Sequence, residues 1–574
     1  MKRQPRHSRA AVGSHILRVG LLSTALATLA AGCGLSEWAA NGGKVGPNYQ
    51  PPSAAVANDW IDYQDPRVKG GQQDLSQWWK VFNDPTLNTL IEQAYDQNLN
   101  LRQAGERIMQ ARARRGIAVG NLFPQQQQAF GDFSHNKQSI EAANSTRNQW
   151  FQNWDAGFSA SWELDLWGRF RRSIEAADAD LDSTVADYDN VMVVLFADVS
   201  ATYIQYRTFQ ERIRFAQQNV QIQEKSYQLA KDKHAAGAST ERDEQQAKQI
   251  LEQTRALIPQ LEAGARTSAN ALCDLLGLPP RDLSQQLGPT TAVPSAPPEV
   301  ALGIPADLLR RRPDIRRIER QAAAASALIG VAKSDLYPRF SILGTIGVQA
   351  ENFGDLFKTP GSLVGSIGPS FRWDILNYGR IENNVAVQEA RFRELIYAFQ
   401  AQVLRAGHEA EDAAVNYLKS QERALFLEKS VAAAARTVEI SYDQYRDGAI
   451  DFTPVFLFEG TLAQEQDNLA AARGQIALSL VDLYRSLGGG WEMRLKESAT
   501  TQPSAQPATQ PTARNSVATQ PAARNTPAAQ NTLVARSVPA TQPAASVRNV
   551  SADPAITRRS LKPSAAVASR EKSQ

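Results

Sequence analysis

The stretch that decides the fold reads Trp150-Phe151-Gln152-Asn153-Trp154-Asp155-Ala156-Gly157-Phe158-Ser159-Ala160-Ser161-Trp162-Glu163-Leu164-Asp165-Leu166. Trp150, Trp154, Ala156, Phe158, Ala160, Trp162, Leu164 and Leu166 hold even positions. Asn153, Asp155, Ser159, Ser161, Glu163 and Asp165 hold odd ones. A period of two makes a strand with one apolar and one polar face. Gly168-Arg169 follows, and then 170–236 contains neither Gly nor Pro. At 1.5 Å per residue this run makes a helical rod of roughly 100 Å, which no ordinary globular domain needs.

The same succession occurs twice. Trp162, Gly168-Arg169, Gly237 and Leu276-Gly277 recur 211 residues on as Trp373, Gly379-Arg380, Gly448 and Leu487-Gly488. Upstream, Asn100-Leu101-Arg102 and Leu122-Phe123-Pro124 recur 214 residues on as Asp314-Ile315-Arg316 and Leu336-Tyr337-Pro338. The change of offset places a three-residue length difference between Pro124 and Trp162. Length alone, 574 residues, suggests three or four domains. The repeat replaces that expectation with a duplicated unit.

Each unit predicts a first helix (about 86–121 and 306–335), a β-hairpin (125–166 and 338–376), a long helix (170–236 and 380–447) and a return helix (239–276 and 452–487). The units span 86–277 and 306–488, with 278–305 as linker. In the second hairpin Phe340, Ile342, Ile346 and Val348 alternate with polar residues, as do Leu363, Ile367, Phe371, Trp373 and Ile375. The run 125–134 is a weaker strand, because Phe130 and Phe133 fall on opposite parities. Gly237 and Gly448 are natural C-caps where the rods turn. Pro259 and Pro454 allow bends in the return helices.

Composition excludes several classes. Net charge is +3, so no global field recruits nucleic acid. The run Arg310, Arg311, Arg312, Arg316 and Arg317, beside Asp307, Asp314 and Glu319, reads as a solvated helix start. Two cysteines and five histidines exclude a disulfide scaffold and speak against a metal centre. His135, His234 and His408 stand isolated, and with four methionines there is no Met-rich metal route. After the N-terminus no apolar stretch reaches the length of a transmembrane helix. No nucleophile–base pair or phosphate loop stands out, so an enzyme is not expected.

The ends are of another kind. Lys2, Arg3, Arg6, Arg9 and Arg18 precede an apolar run closing on Leu29-Ala30-Ala31-Gly32-Cys33. This reads as a signal peptide, 1–32. Its end resembles a bacterial lipobox, with the leucine one place early. The resemblance implies acylation of Cys33, the covalent lipid being the sole non-protein group expected, and 33–85 as a lipidated extended segment. Gly34, not Asp, favours the outer membrane by the same resemblance. Cys273, then without a partner, lies in a helical pattern and reads as a buried small apolar residue. The segment 489–574 has no aromatic residue after Trp491. It repeats Thr501-Gln502-Pro503 at 509, 519 and 541, and reads as mostly disordered.

Four strands at one end of two helical hairpins cannot form a membrane barrel alone, because lipid tolerates no open edge and the smallest barrels have about eight strands. Several chains would have to share one barrel. A soluble sandwich capping a coiled coil fits the strands nearly as well. The lipobox and the rods favour the barrel.

Four motifs then carry a family resemblance. These are Val45-Gly46-Pro47-Asn48-Tyr49-Gln50-Pro51-Pro52, Trp78-Trp79-Lys80-Val81-Phe82-Asn83-Asp84-Pro85-Thr86-Leu87, Leu309-Arg310-Arg311-Arg312-Pro313-Asp314-Ile315-Arg316 and Leu483-Tyr484-Arg485-Ser486-Leu487-Gly488-Gly489-Gly490-Trp491. From Cys33 to Trp491 the chain resembles the TolC-like outer-membrane factors of the OprM/NodT lipoprotein branch. The resemblance implies an α+β membrane protein, trimerising into a 12-stranded transmembrane β-barrel on a 12-helix periplasmic tunnel. It further implies work with a periplasmic adaptor and an inner-membrane pump of the RND class, as an efflux exit duct for drugs or other small solutes. Two alternatives stay open: a type I protein-secretion exit channel, and a non-transporting structural envelope lipoprotein.

The expected working residues lie at the turns of the rods. The resemblance makes an acidic residue after the second tip's glycine part of a periplasmic aperture, and Asp451 matches best. Capping the return helix is the competing role for Asp451. Gly237, Gly448 and Ala449 are the expected tip surface for adaptor docking, since a bare backbone permits close approach.

Overall fold

A computed structural model describes residues 38–71, 74–141 and 150–495. The signal peptide, Cys33 and the Thr-Gln-Pro segment lie outside the described residues.

Seven helices and four strands carry the architecture. They are α1 (Pro85–Gln97), α2 (Leu99–Gly120), β1 (Gln126–Lys137), β2 (Trp150–Leu164), α3 (Arg169–Ala235), α4 (Glu241–Leu275), α5 (Pro313–Ser334), β3 (Arg339–Ala350), β4 (Leu363–Arg372), α6 (Arg380–Arg446) and α7 (Phe452–Ser486). The duplication is kept to the residue. α3 and α4 reappear as α6 and α7 at an offset of 211, α2 reappears as α5 at 214, and β1 reappears as β3 at 213. One residue of the length difference therefore falls at the turn into the first strand and the other two fall beyond it. Trp162 Nε1 donates to Leu122 O at 3.2 Å, and its counterpart Trp373 donates to Leu336 O at 3.0 Å. The landmark tryptophans thus tie each hairpin back to the helix before it.

The first helix of each unit is broken where one was expected. Asn98 ends α1 and caps α2, its Oδ1 accepting from Leu101 N at 2.9 Å. In the second unit Arg312 takes an extended conformation (ψ 117°) ahead of Pro313, as a residue before proline does. A short helix, Leu308–Arg311, stands before it.

The strands form one antiparallel sheet in the order β1-β2-β3-β4. Its register puts Phe133 opposite Trp154, Trp154 opposite Ala350, Phe158 opposite Ile346, and Phe340 opposite Phe371. The middle of one face is therefore apolar across all four strands, with Gln127, His135, Lys137 and Gln152 falling toward its ends. Ser159, Thr345 and Ser366 line up on the other. The parity of Phe130 also finds its reason. It sits opposite Gly157, which faces Gly347. A Cβ on Gly157 would lie 3.1 Å from the Phe130 ring, so the aromatic covers a glycine pair on the polar face. Both edge strands, β1 and β4, have one unpaired side. Among the described residues no helix is long and apolar enough to cross a membrane.

α3 is the central rod, packed by α2, α4, α5 and α7. Each return helix brings a glycine onto it: Gly264 meets the Phe209 ring and Gly474 meets Thr208. α6 lies at the margin against α5 and α7, and leaves Tyr397, Leu404, Leu425 and Phe426 exposed.

Three of the four motifs meet in one core. Trp78 stacks on Tyr484 at 5.4 Å, and Trp79 sets its edge on Phe196 at 4.9 Å. Gly489 and Gly490 lie against Trp78 and Phe196, where a Cβ would come within 3.0 Å of either ring. Asp84 caps α1 through Thr86 N at 2.8 Å, and its other oxygen accepts from Tyr203 Oη at 2.7 Å. The arginine run is a correction to the solvated helix start. Arg312 is buried, donating to Ser486 O at 2.9 Å and pairing with Asp314 and Glu409 at 2.6 and 2.7 Å. Burial pushes the Asp314 carboxyl up, but the Arg312 guanidinium more than offsets this and holds it below its ordinary value. Arg316 pairs with Asp189 at 2.9 Å and lies over the Trp491 ring at 4.1 Å. Only Arg312 is buried, while Arg311, Arg316 and Arg317 stay partly exposed; carboxylates from other helices, Glu409 for Arg312 and Asp189 for Arg316, draw the run inward.

The remaining motif runs along the outside as a belt. Val45 N donates to Trp167 O at 3.0 Å, and Arg172 donates to Val45 O and Gly46 O at 3.1 and 2.9 Å. Gly46 has φ +85°, and a Cβ there would come within 2.5 Å of Gly330 Cα. Cys273 is buried, as its helical pattern predicts. Replacing Trp79, which is 2% exposed, with alanine should cost about 3–5 kcal/mol of stability. Chemical denaturation of the purified protein checks this, and a loss under about 1 kcal/mol would mean that the core is not built on this ring.

Candidate functional site

The two rods end in tips of the same design. α3 stops at Gly237 (φ +68°), where Ala238 N donates to Lys233 O at 2.8 Å. α6 stops at Gly448 (φ +80°), where Ala449 N donates to Gln444 O at 2.9 Å. Both are left-handed glycine caps that satisfy late carbonyls of the helix. A Cβ at either glycine would meet nothing within 4 Å, so positive φ alone requires glycine there within this chain. Ala449, also expected on the docking surface, is exposed.

Thr240 and Asp451 stand three residues after their tip glycines, at the N-caps of α4 and α7. Neither side chain caps its helix. The capping role for Asp451 is therefore not seen, although its backbone holds the N-cap position. Instead Asp451 Oδ2 accepts from Arg242 Nη2 at 3.0 Å and from Thr453 Oγ1 at 3.4 Å. Arg242 belongs to the first tip, so one ion pair joins the two. His234, isolated in sequence, meets Glu244 across the first turn at 2.6 Å. Among the described residues no group of His, Cys, Asp and Glu is arranged to hold a metal. Cys33 lies outside the described residues.

Behind the tips a small apolar cluster of Ala230, Ala247, Tyr445, Phe452 and Val455 holds all four helices together. Lys233 lies over the Tyr445 ring at 4.6 Å and donates to the Tyr445 carbonyl. Farther from the tips the seam between α3 and α7 is polar. Asn219 donates to Gln466 at 2.8 Å, Arg212 pairs with Asp467 at 2.6 Å, and Arg473 pairs with buried Glu211 at 3.1 Å. Sequence reasoning missed Arg242 as the partner of Asp451. The available signal was opposite charge at nearly matching places, five and three residues after the two tip glycines.

Comparison with known proteins bears on this arrangement. The family model described as outer membrane efflux protein matches residues 90–278 and 304–489. The chain is 31% identical to Nodulation protein T of Rhizobium leguminosarum bv. trifolii, over 78% of this chain and 94% of that one. It is 31% identical to the Pyoverdine export outer membrane protein OpmQ of Pseudomonas putida, over 77% of this chain and 94% of that one. The solved structure of the outer-membrane channel OprN superposes with a TM-score of 0.74 at 34% identity, covering 78% of this chain and 99% of that one.

Arg242 and Asp451 are 59% and 50% exposed, so their pairing is worth the roughly 0.2–1 kcal/mol of an exposed ion pair. A double-mutant cycle of Arg242→Ala and Asp451→Ala, read by hydrogen exchange at the tips, should return a coupling in that range that shrinks as salt is raised. Zero coupling at low salt would mean that this pair does not hold the tips together.

Proposed function

The chain belongs to the outer membrane efflux protein family and is an outer-membrane efflux channel component, and we propose that it works as a homotrimeric exit duct in a three-part export machine. The observation that carries this reading is the open sheet. Four strands that share an apolar band on one face leave unpaired edges on β1 and β4. In hydrocarbon those edges must be paired. Three copies joined β1 to β4 close a barrel of twelve strands, with the apolar face in outer-membrane lipid. The rods, α3 and α6, are 67 residues each, about 100 Å, and continue the barrel as a tunnel into the periplasm.

In this reading the chain supplies a passage and performs no chemistry. A periplasmic adaptor meets the tips at Gly237, Gly448 and Ala449, and an inner-membrane RND pump supplies the energy. Threefold symmetry turns Asp451 into a ring of three carboxylates, which favours cations at the constriction. The Arg242 contact holds that ring in place, and adaptor binding draws the tips apart by favouring the open state. Relatives carry names as different as pyoverdine export and cation efflux. That range fits a duct whose cargo, drugs or other small solutes, is chosen by the pump. The lipid on Cys33 anchors the belt segment at the membrane.

Two measurements test this. Purified protein in a planar bilayer should give discrete conductance from a trimer, and Asp451→Ala should pass a larger or less cation-selective current. Silence from both, with no trimer by mass, would discard the duct. Mass spectrometry should find acyl chains on Cys33, and none on the Cys33→Ser variant. An unmodified wild type would discard the anchor.

A further inference from the structure

Between the tip cluster and the side-chain pairs Asn219–Gln466, Arg212–Asp467 and Arg473–Glu211, the seam between α3 and α7 holds one incompletely paired level. Glu459, on α7, is 2% exposed. Its Oε1 accepts from Ser226 Oγ on α3, while its Oε2 has no partner. Gln223, one turn before Ser226 on the same buried face, is 1% exposed, and neither end of its amide is satisfied. A buried carboxylate with an unsatisfied oxygen is costly, because the interior does not replace its lost hydration. The neutral acid escapes that cost.

The surroundings bring no compensating charge. α4 contributes buried Ala247, Ile250 and Leu251, with Ile250 Cδ1 3.6 Å from the place of a Cβ on Gly460. α6 contributes buried Val438, Ser441 and Tyr445, and α3 adds half-buried Tyr227. Charged groups at this level lie on outer faces and are taken up there. Glu224 pairs with Arg255, Glu439 with Arg436 and Asp443 with Arg446, while Lys225 and Lys248 point to solvent. Nearer the tips, Asp243 is held by Thr240 and Arg242, and Glu244 by His234.

We propose that Glu459 is a proton-operated latch between the two hairpins: protonated, it seals α7 against α3; ionised, it drives them apart and releases the second tip. Burial, the dominant influence, pushes Glu459 up to about 7 from its ordinary 4.5, and the Ser226 hydrogen bond pulls the other way. The sign follows. Below about 4.5 the group is neutral whether packed or solvated, and the seam bears no penalty. Between 4.5 and about 7 only the solvated form loses its proton, so the penalty on the closed seam grows, and above about 7 it is complete. Acid therefore closes the latch and neutral to alkaline pH opens it. The consequence for current rests on the exit-duct reading; the latch itself does not.

The test is hydrogen exchange of 219–230 and 452–466 in the full-length protein from pH 5 to 8.5, corrected for the intrinsic exchange rate. Wild-type opening should rise by up to about a hundredfold across that range. Glu459→Gln should stay closed and flat, and Ser226→Ala should move the transition to higher pH, since the hydroxyl stabilises the anion. If Glu459→Gln does not fold, Ser226→Ala carries the test alone. A flat wild type, a Glu459→Gln variant that keeps the wild-type profile, or an unmoved transition in Ser226→Ala overturns the latch. Conductance across the same pH range separates the two readings. A pH-dependent seam in a protein that forms no trimer and stays silent even as Asp451→Ala supports the latch and sinks the duct, whereas current with a flat seam sinks the latch and spares the duct.

Discussion

Backbone amides and carbonyls cannot be left unpaired in hydrocarbon, and much of this molecule answers to that constraint. The sheet offers lipid an apolar face but closes neither edge. Whatever completes it has to supply strands of matching register, and further copies of the chain supply them without a new sequence. The long rods follow from the same arrangement, because a passage through one membrane serves export only if it reaches across the space behind it.

The second requirement is that two copies of one supersecondary unit act as a single body. The core around Trp78, Trp79, Tyr484 and Phe196 meets it. The segment before the first unit, the start of the second unit and the end of the second unit all enter that core. Arg312 shows how tightly the pieces are held, since a buried guanidinium survives only with its carboxylates and carbonyl in place. The belt segment adds a band across α3 and α5, where Gly46 and Gly330 allow backbones to touch.

Much of this was legible in the sequence. The period of two in 150–166, the absence of Gly and Pro from 170–236 and the 211-residue recurrence are local patterns, and local patterns set strands, rods and copy number. What sequence could not supply was pairing across the fold. Arg312 looked solvated because Glu409, nearly a hundred residues on, was not in view. Phe130 looked out of phase because its reason, a pair of glycines on neighbouring strands, exists only once the register is known. At the tips Gly237, Gly448 and Asp451 were readable as cap positions, but the bond from Arg242 depended on how two hairpins lie side by side. The break at Asn98 was missed because the buried face of α1 runs on into α2, whereas for the break at Arg312 the signal, Pro313, stood in the sequence.

The matched lengths of the two hairpins carry a consequence of their own. α3 and α6 have 67 residues each, and α4 and α7 have 35 each. An extra residue in one rod alone would lift its tip by about 1.5 Å and swing every later side chain by about 100°. The tip cluster and the paired seam would both fall out of step. Reach is thus inherited jointly: evolution can lengthen or shorten this object only by editing both copies together, so a family built this way should change span in jumps shared by its two halves and drift freely only in the loops between them.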